Sequence, residues 1–285
     1  LGAGPTVTPS VPSACATITQ VLRDTHHMAI DLLRQWKRDL AALRFVSTPK
    51  RLRASLDGRV VLDTSDAMVV WEPRRVVPMY AVPPGDLDLD LSEHDLAALP
   101  EQLGPVLPPH HLDWHLEPGR SFHLDGVGEV AFRPDDPALG GRLVMHWDPF
   151  MWTEEEGQVY GHPHDPFARI DVLQSARHVR VKIGGDTVAE SQRPKALFET
   201  HLPVRWYLPR EDVRTDLFTP SDFHTVCAYK GTASYLSADG ADDVAWYYPD
   251  PLHDALPVRN MLSFWRGATV YVDGQPVDTR MPGDP

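Results

Sequence analysis

The sequence is short of the residues that staple or anchor a fold. Cysteine occurs twice in 285 residues, at Cys15 and Cys227. Two cysteines cannot build a disulfide framework or a cysteine-rich zinc site. No apolar run approaches the ~20 residues needed to span a bilayer, so no membrane partner is expected. Basic residues number 27 against 40 acidic ones, which gives a formal net charge of −13. Such a chain lacks the basic face that displaces phosphate counterions, and this argues against a nucleic-acid partner. A nucleotide in a local pocket is still allowed. Gly-x-Ser-x-Gly and the phosphate-cradling P-loop are both missing. The serine-hydrolase elbow and the P-loop nucleotidases are thereby set aside. Residues 1–20 show no basic segment followed by an apolar one, so they read as a flexible arm rather than a secretory leader. Cys15 lacks the apolar stretch that lipidation needs, and the expected location is cytoplasmic.

What is present is a chain of ordinary globular composition, 42% hydrophobic and 24% charged, with 28 prolines and 19 glycines. Ile30, Leu33, Trp36, Leu40 and Leu43 recur every three to four residues, which predicts an amphipathic helix over 28–44. Asp24 or Thr25 would cap its start, and its apolar face is expected to cover the protein's own core. Beyond residue 50 the pattern changes to period two. Val179, Val181 and Ile183 alternate with Arg180 and Lys182. Turn dipeptides punctuate such runs, among them Asp57-Gly58, Gly184-Gly185 and Asp273-Gly274. Short strands joined by turns predict an all-β protein of antiparallel sheets or barrels. Residues 92–99 are the exception, a short helix candidate.

The chain also repeats itself. Arg51-Leu-Arg-Ala-Ser-Leu-Asp-Gly-Arg-Val-Val-Leu-Asp-Thr64 resembles His178-Val-Arg-Val-Lys-Ile-Gly-Gly-Asp-Thr-Val-Ala-Glu-Ser191. The same register aligns Glu72 with Glu199 and Tyr80 with Tyr207. The reading is an arm and helix over 1–45, a first, degenerate β-domain over 46–160, and a second β-domain over 161–285. Two fused copies form a pseudo-dimer, so a monomer or weak homodimer is expected.

Within the second copy, several segments have a familiar form. Phe198-Glu-Thr-His-Leu-Pro-Val-Arg-Trp-Tyr-Leu-Pro-Arg-Glu-Asp212, Cys227-Ala-Tyr-Lys-Gly231 and Ala245-Trp-Tyr-Tyr-Pro-Asp-Pro251 resemble the family catalogued as domain of unknown function 427. Family members usually carry proline after the cysteine, where this chain has Ala228. The resemblance implies two tandem copies of a small antiparallel two-sheet domain. That domain is distantly similar to the tent-like β-domains of cereblon and of methionine sulfoxide reductase B. Members are often labelled nucleotidyltransferase. That chemistry needs carboxylates that hold Mg²⁺, and the nearest acidic run is Asp86-Leu-Asp-Leu-Asp90.

Features found in one copy only are the better candidates for chemistry, and these concentrate in the second. Lys230 stands between Tyr229 and Gly231. It could bind an anionic group or, if desolvated, serve as a base or Schiff-base amine. Cys227 could be activated by that lysine, although a turn would be needed to bring the two to one face. Glu199 and Tyr207 offer either general acid–base chemistry or a structural hydrogen bond across a hairpin. Arg205, His224 and Tyr235 are expected to join them as ligand-binding residues. Trp246, Tyr248 and Trp265 would wall the ligand. The 14 histidines, with His110-His111, His115, His123 and His162-Pro-His164 among them, are too loosely spaced to predict a metal site. No cofactor is expected. The leading function is binding of a small organic or nucleotide-like ligand, with lysine-assisted or acid–base chemistry on it. The alternatives are an interaction or sensor module, and then a metal-dependent nucleotidyltransferase.

Overall fold

A computed structural model describes residues 29–280. The expected arm, Cys15 and the expected caps Asp24 and Thr25 lie outside the described residues. The described residues fall into two units, one ending at Lys37 and one beginning at Arg38. No helix among the described residues is long and apolar enough to cross a membrane.

Helix α1 covers Leu32–Asp39 and buries none of its residues. It is shorter than the apolar spacing predicts, because Arg44–Thr48 is drawn into a sheet as an edge strand against Ala67–Trp71. Residues 92–99 also differ from expectation. Leu91–His94 pairs with Gly119–Leu124 as a strand, so sheet hydrogen bonds override the local helical pattern.

The rest is all-β and antiparallel, in open sheets with no closed barrel among the described residues. The first copy holds a seven-stranded sheet. Its order is Arg44–Thr48, Ala67–Trp71, Met79–Val82, Leu143–Met145, Gly128–Pro134, Gly119–Leu124 and Leu91–His94. The second copy reproduces that order in two pieces. Ile170–Gln174, Lys195–Glu199 and Arg205–Tyr207 form one piece. Ser263–Phe264, Ala241–Tyr247, Gly231–Ala238 and Phe218–Cys227 form the other. The pieces meet at a bridge between Leu208 and Leu262, whose amides and carbonyls exchange hydrogen bonds of 2.8 and 2.9 Å. Val82 and Leu143 pair at the same place in the first copy.

The shorter sheets also correspond. Gly157–Val159, Met151–Glu154, Leu52–Leu56 and Arg59–Thr64 match Gln275–Pro276, Ala268–Val272, Val179–Ile183 and Asp186–Ser191. Both central hairpins carry a bulge at the same point, between Ala54 and Ser55 and between Val181 and Lys182. Asp57 and Gly58 both take positive φ, as the tight hairpin turn requires.

Strand register corrects one pairing of the repeat. Val69 lies opposite Tyr80, whereas Ala196 lies opposite Trp206. Tyr80 therefore corresponds to Trp206, and Tyr207 to Ala81. The connection after Glu72 is one residue longer than the one after Glu199, and this moves every later side chain to the other face of the sheet.

Alternation along the long sheets produces two cores per copy. Val69, Tyr80, Val82 and Trp152 fill the space between the sheets of the first copy. Ala196, Trp206, Leu208 and Val179 do so in the second. The opposite face of each long sheet is also buried. Val70, Met79, Ala81 and Leu139 line it in the first copy. Leu197, Tyr207, Tyr235, Trp246 and Tyr248 line it in the second.

A shared hydrogen bond fixes the end of each central hairpin. Thr64 Oγ1 donates to Asp86 at 2.6 Å, and Ser191 Oγ donates to Asp212 at 2.7 Å. Each hydroxyl also accepts from a backbone amide two residues on. Thr64→Val and Ser191→Ala should each lower stability by about 1 kcal/mol, read from urea midpoints. If the copies unfold together, the double variant should lose about the sum, because the sites share no partner.

Candidate functional site

In the second copy the chemistry gathers on the outer face of the long sheet, where Phe218–Cys227 turns into Gly231–Ala238. Cys227 pairs with Gly231, and residues 228–230 make the turn between them. That turn brings Lys230 back beside Cys227, which a continuous strand could not do. Gly231 has φ +88, a conformation most residues avoid. The Lys230 carbonyl accepts from Leu252 N at 3.1 Å, which clasps the turn from outside.

Lys230 is 8% exposed, and its Nζ donates to Glu199 Oε2 at 2.5 Å. Burial alone would lower the lysine's pKa. Interactions with Cys227, Glu199 and Tyr207, together with the hydrogen bond to Glu199, outweigh burial and push it well above the usual lysine value. Lys230 is thus held as an ammonium, and the free-amine roles lose support. Tyr207 is fully buried, and its hydroxyl accepts from Trp246 Nε1 at 3.1 Å. Burial raises its pKa, as it does for Tyr248, whose neighbours include Tyr207, Cys227 and Glu199. Cys227 is a free, half-buried thiol.

The linker between the copies covers this turn. Tyr229 accepts at its hydroxyl from Asp165 N at 2.8 Å and stacks on His164 at 5.2 Å. His164 Nε2 donates to the Ala228 carbonyl at 2.8 Å. The aromatic residues extend the site inward. Tyr235 lies 6.4 Å from Trp246 and 5.6 Å from Trp265, ring centre to ring centre. Trp265 donates to the Asp243 carbonyl at 2.6 Å. Arg205 is buried with its guanidinium 5.5 Å from the Trp246 ring, and its Nη1 donates to the Thr279 carbonyl at 2.5 Å. His224 does not join the set. It is exposed, and its Nδ1 donates to the Ala233 carbonyl across the hairpin at 3.1 Å.

The first copy carries a polar cluster on the matching face, although the sequence concentrates its candidate chemistry in the second copy. Glu72, the counterpart of Glu199, is 3% exposed. Its Oε2 accepts from His115 Nδ1 at 2.7 Å, and its Oε1 lies 3.4 Å from Arg75 Nε. Arg75 is 1% exposed and donates to the carbonyls of His111, Leu112 and Trp114. His115 stacks on Phe132 and reaches Glu129 Oε1 through Nε2 at 2.7 Å. Burial opposes a charge on that ring, but hydrogen bonds to Glu129 and Glu72 win and raise its pKa to about 9. Burial opposes the Glu129 charge as well, and its histidine and serine neighbours hold it well below the usual carboxylate range. His146 completes the cluster from the end of strand Leu143–Met145. The available signal was a buried apolar run ending in histidine, but Glu72, Glu129 and His146 are too far apart in sequence to suggest one another.

Glu199→Gln would leave the Lys230 ammonium buried without a counter-charge. It should cost about 3 kcal/mol in thermal or urea unfolding, more than any exposed pair in the chain. A second prediction concerns the linker. His162 is held below its usual pKa, chiefly by burial, while Nδ1 donates to the Pro163 carbonyl at 2.7 Å. The unfolded chain therefore takes up this proton first as pH falls. Stability from the neutral ring is present above about 6.5 and is lost on acidification below it. Between pH 7.5 and 5.5, wild type should lose more stability than His162→Gln, and equal losses would contradict this assignment.

No curated protein is significantly similar to the chain. Residues 171–277 match the family model described as a domain of unknown function, DUF427, whose short label is that of a nucleotidyltransferase. That span covers nearly every strand of the second copy, together with Glu199, Tyr207, Cys227 and Lys230. Over that span the second copy is similar to the DUF427 family.

Proposed function

We propose that the second copy binds a small organic or nucleotide-like anion at Lys230 and supports acid–base chemistry on it. The observation that carries this reading is the buried Lys230–Glu199 pair, ringed by Cys227, Tyr207, Tyr229 and Tyr248. A buried ion pair is a poor source of stability, since apolar residues of the same volume serve as well or better. A lysine kept charged and mostly out of water suits recognition of an anionic group. In this reading the ligand's anionic group replaces Glu199 as the partner of Lys230. The released carboxylate accepts a proton, and the neutral Tyr207 phenol orients the ligand. Tyr235, Trp246 and Trp265 supply the apolar wall. The expected setting is the cytoplasm, with the chain acting as a monomer or weak homodimer.

A second reading has its own support. Leu173 and Phe198 are exposed beside a groove of about 250 Å³ lined also by Ala196, Val204 and Trp206. Strand Ile170–Gln174 is the open edge of its sheet. These features favour an interaction module that docks a partner there. Nucleotidyl transfer comes third. In the acidic run it would draw on, Asp86 accepts from Thr64 and Asp88 pairs with Arg59 at 2.5 Å.

Thermal unfolding across a panel of anionic metabolites and nucleotides, with and without Mg²⁺, separates these readings. A ligand at ~100 times its dissociation constant adds about 2.7 kcal/mol to stability. The expected result is a shift in wild type that Lys230→Met abolishes and Cys227→Ser alters. If Lys230→Met does not fold, Tyr229→Phe reports on the same site. No shift with any compound would overturn the small-molecule reading, and Mg²⁺-dependent pyrophosphate release would restore the third.

A further inference from the structure

The polar cluster of the first copy has the donor set of a transition-metal site. His115, Glu129 and His146 each offer a ligand atom within 4.8 Å of the others. His115 Nε2 lies 2.7 Å and His146 Nε2 lies 3.3 Å from Glu129 Oε1. An ion at about 2.0–2.1 Å from each donor needs them about 3.3 Å apart, so small side-chain rotations suffice. Two further observations point to an occupant. His146 is 7% exposed, yet its Nε2, aimed at the cluster, makes no well-aligned hydrogen bond, only a 3.3 Å approach to Glu129 Oε1. A buried polar nitrogen with only a poorly aligned partner is costly, and a bound ion would satisfy it.

The other nitrogen of His115 is the second observation. Nδ1 donates to Glu72 Oε2 at 2.7 Å, and Arg75 braces Glu72 from beneath. Metal-binding histidines usually donate their second N–H to a carboxylate in this way, which fixes the ring and strengthens the free nitrogen as a ligand. The flanking groups are also arranged for it. His123 stands on the more open side, with Nε2 3.8 Å from Glu129 Oε2 and 2.9 Å from Ser121 Oγ.

We propose that the first copy binds one divalent transition-metal ion of the zinc type through His115 Nε2, the Glu129 carboxylate and His146 Nε2, with Glu72 positioning His115. The ion takes the place of the His115 Nε2 proton, which passes to solvent. Three protein ligands leave a fourth position for water on the His123 side, the ligand count of catalytic rather than structural zinc. Imidazole and carboxylate donors favour zinc, cobalt or iron over calcium or magnesium. The proposal is independent of the Lys230 reading, since the two sites lie in different copies and share no residue.

The test uses the full chain after chelation and dialysis, titrated with Zn²⁺ by calorimetry and with Co²⁺ by visible absorption. One ion per chain is expected, with Co²⁺ ligand-field bands. Zn²⁺ at ~100 times its dissociation constant should raise the unfolding midpoint by about 5 °C. His146→Ala and the isosteric Glu129→Gln should abolish all of these signals. Glu72→Gln should weaken affinity about 10- to 100-fold without abolishing it. His224→Ala and His162→Gln should bind as wild type does. Circular dichroism of the apo variants checks folding, and Glu129→Gln alone decides the matter if His146→Ala does not fold. The proposal is overturned if wild type binds no ion, or if Glu129→Gln binds with wild-type affinity.

Discussion

The long antiparallel sheet is buried on both faces, and the rest of the structure follows from that constraint. Period-two alternation sends one set of side chains toward the shorter sheet and the other set outward. In the second copy the inward set is Ala196, Trp206, Leu208 and Ala245, and the outward set is Leu197, Tyr207, Trp246 and Tyr248. An antiparallel sheet can leave one face to water, but here connecting segments cover the outer face. Polar groups caught beneath that cover must find partners there or remain unpaired. Among the described residues, both clusters of buried charge lie on that outer face.

The two copies resolve the same constraint with different chemistry. Glu72 and Glu199 occupy one position at the end of equivalent strands. One meets His115 and Arg75, the other Lys230. Around Lys230 the outward residues are aromatic. At the corresponding places in the first copy stand Ala81, Ser121, Phe132 and His146, which leave space and donors for a polar cluster. Duplication followed by divergence at one buried face thus leaves a buried lysine–glutamate pair in one copy and a cluster of imidazoles and carboxylates in the other. The difference rests on a few side chains, one ammonium against two imidazoles and a second carboxylate.

Much of the fold was legible in the sequence, because local rules govern it. Alternation and Asp-Gly or Gly-Gly turns announced the antiparallel strands, and the repeat of 51–64 in 178–191 announced the duplication, whose central hairpins share a bulge that only the strand register shows. The helix over 28–44 was overdrawn, since nothing in its apolar spacing reveals that Arg44–Thr48 completes a sheet with Ala67–Trp71. The match of Tyr80 to Tyr207 failed for a related reason. A single extra residue in the connection after Glu72 shifts the register, and identity of side chains cannot reveal on which side of a loop the extra residue falls. The contrast between copies singled out Lys230, the family pattern singled out Glu199 and Tyr207, and the structure places Lys230 against Glu199 with Tyr207 beside it. His224 was not separable from them by sequence, because its place on the exposed side of the hairpin depends on the bulge between Pro220 and His224.

The sequence by itself determined the fold class, the duplication and the residue types available for chemistry, because these depend on neighbours a few positions apart or on direct self-similarity. Tertiary structure decided which of those residues meet. Glu199 reaches Lys230 only because a turn over 228–230 reverses the chain. His115, Glu129 and His146 converge only because three separate strand connections end on one face. Such convergence is set by long-range strand pairing and burial, and neither leaves a periodic trace along the chain.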